Sequence, residues 1–515
     1  MRRQDIQLLA RARAGDAAAR CEAGRRYLQG SEGFARHPTL GLEYLSHPSV
    51  ASLPSASIIV AESLALHEIV RLEQLRALRA AAVAGSAVAC IKLGVWTALT
   101  SRNSGDATRW LELAAQAGHA AAPAAVRALA RSPRPPDAEV FGVLGGEHGI
   151  EGDEVIPLAL TRALVARDDE LIPRLLNCAL RITPGVREAL ADIVCSALVY
   201  AEGLRQFDLE APSARIEALL EDCVRRGSAT AALLLGRALC GLDAGALKSQ
   251  SLVSGQNMRK GVALLLRAAD AGKDEAWMLL YSAHSDNHAS VANPQMARFF
   301  LEKAALAGAL IAQRRLGALI LRSAHSLHES EQGIHWLHQA AQRGDDHAMR
   351  LLRSLVLPVA GPEGEAAGLI AEIRRDDPWM ACRLRTARDF GLTKLEGLSV
   401  DVATAVRPWG LVVGPNPFIT QAKLSTPRAI PALTAEAAQS LRRSAAFFEQ
   451  ARPDAAPMEG DLRKRSVRLR HLLARHGAEE SLFFAEARST TLETLRQGTK
   501  WAFHVRQPLR MALAA

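Results

Sequence analysis

A thirteen-residue sequence motif recurs along this chain and restricts the folds that the chain can adopt. It reads WLELAAQAGHAAA at Trp110–Ala122 and returns, with substitutions, at Leu264–Ala276, Phe300–Ala312 and Trp336–Ala348. The glycines of the last three copies are 36 residues apart. A period of about 20 to 50 residues is typical of stacked units that each form one supersecondary structure. The recurrence therefore predicts a repeat protein.

The copies agree at several positions besides the glycine. The central glycines are clear at Gly85, Gly118, Gly272, Gly308 and Gly344, and degenerate copies occur at Gly15 and Gly227. Alanine follows each glycine by four residues and leucine usually follows by eight, so both lie on one helical face. A bulky residue and a pair of alanines precede the glycine, and the bulky residues are Trp110, Leu264, Phe300 and Trp336.

This spacing indicates two antiparallel helices in each unit. Alanine favours helix and lets a neighbouring helix come close, and glycine suits the residue just past a helix end, where φ is often positive. One helix pair cannot bury both of its apolar faces, so the units must stack. The predicted fold class is all-α, an α-solenoid of stacked helix-turn-helix units.

Two stretches carry a resemblance to a known family. AGRRYLQGSEGFARHPTLGLEYL contains, in order, Gly24, Tyr27, Gly30, Gly33, Phe34, Gly41 and Tyr44, and DATRWLELAAQAGHAAA contains Asp106, Ala107, Trp110, Ala114, Ala115 and Gly118. These residues resemble the Sel1-like repeat, a relative of the tetratricopeptide repeat. The resemblance covers residues 1 to about 357 as about nine units, degenerate at 123–226, where Asp168 falls roughly at a repeat-glycine position. It implies a protein-binding scaffold in signalling, secretion or envelope assembly.

The repetition ends at a Pro- and Gly-rich segment, LPVAGPEGE at Leu357–Glu365. We therefore expect a linker at 358–378 and an α-rich C-terminal domain at 379–515. A short strand or hairpin is expected around Leu411 to Val413, followed by helices near 434–451, 459–476 and 478–497. This domain either caps the end of the solenoid, which would otherwise expose an apolar face, or forms a separate effector module.

Composition narrows the class of protein. The chain has 63 basic and 54 acidic residues, a net charge of +9, which alone does not predict nucleic-acid binding because phosphate contacts require a clustered basic face. Its seven cysteines form no C-x-x-C pair, so a reducing compartment is expected. Neither a signal peptide nor a membrane-spanning segment is predicted. These features predict a cytoplasmic protein, which the leading hypothesis takes to be bacterial.

Two clusters are candidate sites for a cofactor or a metal. FGVLGGEHGIEGDE, at Phe141–Glu154, lacks the spacing of a phosphate-binding loop and repeats that of the loop between two helices of a unit. Histidine pairs spaced to share a metal occur late in the repeats, but His338 is expected on an exposed helix side, which favours a solvated surface. The histidines are His325, His328, His335, His338 and His347. No cofactor, no metal and no enzymatic activity are predicted, and an enzyme with its site in the C-terminal region is the third hypothesis.

The first helix of each unit lines the concave surface of an α-solenoid, where such proteins bind partners. Residues six and ten positions after the glycine should point away from the packed face. These positions hold Arg25 and Arg237 at +10, and Arg314 and Arg350 at +6. The sequence therefore predicts a partly basic groove for an acidic protein segment.

A second basic group lies in the C-terminal region, in RKRSVRLRH. It comprises Arg463, Lys464, Arg465, Arg468 and Arg470, on a predicted helix without interleaved aromatic residues. Such a patch attracts nucleic acid, acidic lipid or an acidic protein, or is a solvated helix face. The leading hypothesis is a protein–protein adaptor or scaffold. The alternative is a regulator whose basic C-terminal region binds nucleic acid or an anionic membrane surface.

Overall fold

The computed structural model describes residues 3–101, 104–131, 144, 149–182, 188–205, 207–243, 245–414, 427–450, 459–496 and 498–514. Over these residues the chain forms thirty α-helices and one small sheet. The predicted all-α class is confirmed. The chain divides into two compact units, Met1–Ala276 and Trp277–Ala515.

The first unit consists of helices joined by short connections. They are α1 (Arg3–Arg13), α2 (Ala17–Gln29), α3 (Pro38–Leu45), α4 (Pro54–Ser63), α5 (Leu66–Arg71), α6 (Leu75–Val83), α7 (Ala87–Thr100), α8 (Ser104–Gln116), α9 (Ala122–Arg131), α10 (Gly152–Ala166), α11 (Leu171–Ile182), α12 (Glu188–Glu202), α13 (Ser213–Arg225), α14 (Ala229–Leu239), α15 (Ser249–Leu252) and α16 (Met258–Asp270). Helix α17 (Glu275–Ser285) begins at the end of this unit.

The repeat glycines stand where the pattern predicted, between the two helices of a hairpin. All seven have positive φ, between +86° and +102°. At six of them an added Cβ would meet no other atom within 4 Å, so the backbone conformation and not crowding requires glycine. In the degenerate stretch the equivalent position is Arg167, with φ of +51°, one residue before the predicted Asp168.

Close approach of helices explains the other small residues of the repeat. In the pair Gly317 and Gly333, a Cβ on Gly333 would stand 2.7 Å from Leu321 Cγ and 3.1 Å from the Gly317 carbonyl oxygen. Gly236 and Gly261 form an equivalent pair, since a Cβ on Gly261 would stand 2.9 Å from the Gly236 carbonyl oxygen. The first helix of one unit therefore crosses the next helix almost backbone to backbone.

The predicted anchor positions are only partly correct. Phe300 is buried, but Trp110, Leu264 and Trp336 are half-buried. The fully buried member is the leucine that follows each anchor, namely Leu111, Leu265, Leu301 and Leu337. The leucine faces the neighbouring helix, while the preceding large side chain lies at the edge of the contact. The alanines four residues after each glycine are all buried, as predicted.

The second unit continues the repeats and then changes character. Its helices are α18 (Pro294–Leu306), α19 (Leu310–Ser323), α20 (Leu327–Gln342), α21 (Asp346–Arg353), α22 (Glu363–Asp376), α23 (Pro378–Asp389), α24 (Lys394–Ser399), α25 (Val402–Ala405), α26 (Ala435–Gln450), α27 (Leu462–His476), α28 (Ser489–Arg496), α29 (Gly498–His504) and α30 (Arg506–Ala514). A 3-10 helix spans Glu480–Leu482, so only the second half of the helix expected at 478–497 is α-helical.

A three-stranded antiparallel sheet lies between α25 and α26. Its strands are β1 (Val406–Arg407), β2 (Gly410–Val413) and β3 (Arg428–Pro431), in that order. The strand expected around Leu411 to Val413 is therefore present. Leu411 is paired with Val406 on one side and Ile430 on the other. Leu411 and Ile430 are buried in the core that α22 to α27 share.

The predicted boundary at 357 does not coincide with the division into compact units. Helix α22 falls within the expected linker and packs against α23. Farther along, Trp501 and Leu509 share a core with Leu351 and Leu352 of the last repeat helix. Because these apolar residues come from both sides of 357, the C-terminal helices cover the end of the repeats, which is one of the two arrangements expected for this region.

Candidate protein-interaction surfaces

The structure places the four predicted groove arginines in three different environments. Arg237, on α14, is 7% exposed and forms a bidentate ion pair with Glu202 of α12, with one N–O distance of 2.8 Å. Its predicted exposure is wrong, because position +10 of this helix faces the neighbouring α12. Arg314, on α19, is also buried, so the same prediction is wrong there. Arg350, on α21, is exposed as expected.

Arg25 is half-buried within an ion-pair network on α2. It donates to both oxygens of Glu22, at 2.9 and 2.7 Å, and to Glu32 at 2.9 Å. The hydrogen bond from Arg25 lowers the pKa of Glu22 to about 2, and the same bond, together with Glu32, raises the pKa of Arg25. Its charge is thus largely neutralised by its own helix and the following loop.

Arg314 is held in a buried polar site. It is 5% exposed, its Nε donates to the Ala512 carbonyl at 2.9 Å and its Nη1 donates to Asp345 Oδ2 at 2.8 Å. Asp345 also caps α21, because its Oδ1 accepts the backbone N–H of Ala348 at 2.9 Å. The Arg314 Nη2 is buried without a hydrogen-bond acceptor.

The neighbouring Arg315 contacts the same C-terminal helix. Its Nη2 donates to the Ala514 carbonyl at 3.1 Å, its guanidinium lies 5.8 Å from the centre of the Tyr281 ring, and its Nε is buried without an acceptor. Farther along, Trp501 Nε1 donates to Ser354 Oγ at 3.1 Å. The part of the predicted groove that contains Arg314 is therefore covered by α29 and α30 of this chain, whereas Arg350 on α21 stays exposed.

An exposed apolar stripe, which sequence reasoning missed, runs along α18. It consists of Met296, Phe299 and Leu306, whose side chains are 38%, 45% and 70% exposed. Their spacing of three and seven residues places them on one face of the helix. Lys303 lies on this face, with its Nζ 5.5 Å from the centre of the Phe299 ring. In the α18 sequence these three residues are the large apolar ones outside the buried repeat positions. This pattern could have predicted the stripe.

The stripe borders a cavity with aromatic walls. The cavity has a volume of about 520 Å³, and Leu306 lines it together with Ile320, Trp336 and Trp409. His328 and His335 stand at the same cavity, and each ring has a glutamine neighbour 2.9 Å away, Gln332 and Gln339 respectively. Exposed apolar residues beside an aromatic pocket are typical of protein-binding surfaces.

The basic patch is divided by the structure. Arg463, Lys464 and Arg470 are exposed on α27. Arg465 turns inward, donates to the Leu398 carbonyl at 2.8 Å and pairs with Glu459 at 3.1 Å, and burial followed by the nearby Arg383 lowers its pKa to about 10. Arg468 pairs with Asp377 at 3.4 Å.

A cavity of about 800 Å³ opens beside this patch. Basic side chains on one side of α27 line it, namely Arg463, Lys464, Arg468, His471 and Arg475. Three of the predicted patch residues therefore meet at this cavity. Arg465 and Arg470 are not part of its lining.

The predicted histidine surface needs a correction. His338 is buried, and this desolvation, followed by the charges of His335 and Arg442, lowers its pKa. The expected exposed side of the helix is wrong here because α20 packs on more than one face. Over the part of the chain that the structure describes, no group of histidine, cysteine, aspartate and glutamate side chains is arranged to hold a metal ion.

Half of the glycine cluster at 141–154, residues 141–143 and 145–148, lies outside the described residues. Within its described end, Ile150 is buried and the Gly149 carbonyl accepts the Leu66 N–H at 3.0 Å. Gly149 has φ of +66° and Gly33 of the first repeat has +85°, and each precedes a buried apolar residue. These contacts agree with a packed interhelical loop.

Comparison with known proteins identifies the repeats. Residues 87–119, 247–273, 288–308 and 310–345 match the Sel1 repeat, so the chain contains Sel1 repeats and the predicted resemblance is confirmed there. No curated protein sequence is similar enough to count as a relative. In the described ranges, no helix has both the length and the apolar character needed to cross a membrane.

Two solved structures are similar at low sequence identity. One is a protective antigen of uropathogenic Escherichia coli strains that displays an SLR fold, 17% identical, covering 88% of this chain and 96% of that chain with a TM-score of 0.29. The other is a Sel1 repeat protein from Oxalobacter formigenes, 19% identical, covering 68% of this chain and 90% of that chain with a TM-score of 0.27. At these TM-scores neither likeness bears on how the helices of this chain are arranged.

Proposed function

We propose that this chain, whose residues 87–345 contain Sel1 repeats, is a non-enzymatic adaptor that assembles other proteins. Sel1 repeats generally mediate protein–protein interaction. The observation that carries the proposal is the exposed stripe of Met296, Phe299 and Leu306 beside the aromatic cavity. The recurring residues of the repeats are buried between helices, whereas the side chains of this stripe remain exposed to solvent.

The stripe also indicates the chemistry of the partner. A segment with apolar side chains would cover Phe299 and Leu306 and insert into the cavity beside Trp336. Lys303, which is exposed on the same helix face, favours an acidic side chain next to the apolar ones. Arg350, the exposed member of the predicted groove set, is a further candidate contact. The seven cysteines are free thiols, which supports our assignment to the bacterial cytoplasm.

The proposal is tested by comparing proteins that co-purify with tagged full-length variants from the native host. The double variant Phe299→Glu/Leu306→Glu places charge on the stripe and should abolish recovery of the partner. Val165→Glu is the control, because Val165 is an apolar residue on a helix of the first compact unit and is more exposed than Phe299 or Leu306. Unaltered thermal unfolding of both variants excludes misfolding. If the double variant recovers the same proteins as the control, the stripe does not bind the partner.

The basic cavity beside α27 supports a second candidate function, binding of nucleic acid or an anionic membrane surface. Five basic side chains line one opening together with Asp461. Arg468 and Arg475 are paired with Asp377 and Asp376, and the remaining positive charge suits a phosphate backbone or acidic headgroups. The full chain must be tested, because a 379–515 fragment would deprive Trp501 and Leu509 of their contacts with Leu351. This candidate is favoured if the full chain binds DNA or acidic vesicles in a salt-sensitive way and if Arg463→Glu/Lys464→Glu removes that binding. If the chain does not bind them, the adaptor function is the remaining proposal.

A further inference from the structure

The last described helix is attached to the repeats by a small set of contacts. Helix α30 has nine residues, includes Pro508, and buries only Leu509 and Ala512. Met511 on the same helix is 47% exposed. The partly buried Leu513 packs against the same core cluster, and Arg314 and Arg315 donate hydrogen bonds to the carbonyls of Ala512 and Ala514. A short helix with few buried side chains opens at a lower free energy than the core on which it rests.

The surface beneath this helix is imperfectly satisfied by it. The Nη2 of Arg314 and the Nε of Arg315 are both buried without an acceptor while α30 is in place. A buried donor on a charged group without an acceptor is destabilising, because the group has lost its hydrogen bonds to water without gaining others. Helix α30 offers these arginines carbonyl oxygens only. A carboxylate would offer two oxygens and the opposite charge, and charge-assisted hydrogen bonds are about twice as strong as neutral ones.

We propose that the surface of α19 and α21 is a receptor for an amphipathic helix of another protein with an acidic residue in its last turn, and that α30 is a built-in occupant which this helix displaces. The inference rests on the proposed function, since it assumes that the repeats bind proteins. It concerns a surface different from the stripe on α18, so each can fail without the other.

The proposed exchange keeps the apolar contacts and improves the polar ones. Two small apolar side chains of the incoming helix replace Leu509 and Ala512 against Leu351 and Leu352, which share one core cluster with them. Its carboxylate accepts hydrogen bonds from the buried Nη2 of Arg314 and the buried Nε of Arg315. The partner binds only those molecules in which α30 has left the surface. Its apparent affinity is therefore its intrinsic affinity multiplied by the fraction of such molecules. Helix α30 thereby raises the concentration of partner that is needed for binding.

The test uses a fluorescent, amidated peptide with the sequence of Val505–Ala514 and the full-length protein. Leu509→Asp should release α30 and expose the surface, whereas Met511→Asp alters an exposed residue of the same helix and is the control. We expect the peptide to bind Leu509→Asp about tenfold more tightly than it binds wild type or Met511→Asp. A peptide with one glutamate added after Ala514 should bind about tenfold more tightly than the parent peptide, an advantage that Arg314→Met, made in the Leu509→Asp background, removes.

Hydrogen exchange of the wild-type protein provides a second measurement that needs no substitution. Amides of 506–514 should exchange faster than those of Leu310–Ser323 if α30 opens by itself. Equal exchange rates, or a Leu509→Asp variant that stays folded but binds no more peptide than wild type, would show that α30 is a fixed part of the fold. Phe299→Glu/Leu306→Glu should leave peptide binding unchanged, so a failed adaptor test at the stripe is distinguishable from failure here.

Discussion

The repeat helices α18 to α21 and the region from α23 to α27 stabilise their cores in different ways. The repeats pack alanine, leucine and glycine so closely that two helix backbones meet at Gly317 and Gly333. The later region contains two buried ion pairs, Arg428 with Glu396 and Arg383 with Glu459. Within one compact unit, the repeat helices rely mainly on close apolar packing beside a buried ion pair of Arg314 with Asp345, whereas the later region combines two buried ion pairs.

The buried arginines explain this difference through backbone hydrogen bonding. Arg383 pairs with Glu459 at 2.6 and 2.9 Å and also donates to the carbonyls of Gly397 and Val400, at 3.0 and 2.8 Å. These carbonyls lie at and just after the end of α24, which has only six residues. Short helices leave a larger share of their carbonyls without helical partners, so a buried side-chain donor is needed. The long repeat helices need fewer such donors.

The largest expected effect is the removal of one partner of a buried pair. Arg428→Met leaves the Glu396 carboxylate buried without its ion-pair partner and removes donors from the carbonyls of Leu355 and Gly391. We expect the free energy of unfolding to fall by about 3 to 5 kcal/mol. Urea unfolding followed by tryptophan fluorescence measures it, because five of the seven tryptophans lie in the second compact unit.

The double variant Arg428→Met/Glu396→Gln is the control for that measurement. Glutamine removes the unpaired charge and retains an oxygen for the Thr393 N–H, which Glu396 accepts at 2.9 Å. Most of the lost stability should return. A double variant as unstable as the single one would mean that packing, and not the buried charge, accounts for the loss.

An intermediate effect is expected at the close helix crossing of the repeats. Gly333→Ala brings a Cβ to 2.7 Å from Leu321 Cγ and 3.1 Å from the Gly317 carbonyl oxygen. Overpacking of this kind costs about 1 to 3 kcal/mol, measured by the same urea unfolding. The control Gly364→Ala, in α22, meets no atom within 4 Å and should be neutral or stabilising by at most about 1 kcal/mol. Equal effects at both positions would show that the crossing is not tightly packed.

The smallest expected effect distinguishes the two regions by pH. Burial alone would raise the pKa of Glu459, but the hydrogen bonds and charge of Arg383, with Arg465 and Arg468, lower it below the ordinary value of 4.5. The folded pKa lies below the unfolded one, so this contribution to stability is complete above about pH 4.5 and is lost as pH falls through the folded pKa. The loss is at most about 1.4 kcal/mol per pH unit.

Hydrogen exchange on acidification should therefore accelerate in 378–414, 427–450 and 459–476 before it accelerates in 294–353. Glu459→Gln removes the titrating group and should make the difference between the two regions smaller at every acidic pH. If 294–353 opens first in the wild-type protein, then the ion pairs do not set the acid sensitivity of this unit.

Sequence reasoning was most successful where a residue has one local role. The glycine at each hairpin and the alanine four residues later were predicted correctly, because helix ends and close helix contacts restrict residue type. It was less successful for Arg237 and Arg314. Their positions in the repeat were correct, but whether they face solvent depends on Glu202 and on α30, which lie 35 and about 200 residues away.

The interaction surfaces show the same limit. The basic group on α27 was recognised as a run of charges, but its division into the inward-facing Arg465 and the cavity-lining Arg463 and Lys464 depends on Glu459. The apolar stripe on α18 can be predicted from the sequence, because its three residues are the large apolar ones that do not occupy buried positions of the repeat. Its cavity was not, because Trp409 reaches it from a segment far along the chain.

The sequence by itself determined that this protein is built from helical hairpins, since periodicity, alanine pairs and hairpin glycines act within one or two helices. Which charged side chains are buried and paired in the core, and which surfaces remain exposed to partners, depends on the tertiary structure. The physical reason is that burial and pairing of a charge depend on what a distant segment places against it. In this chain, α30 covers the arginines of α19, and nothing in either segment taken separately indicates that they meet.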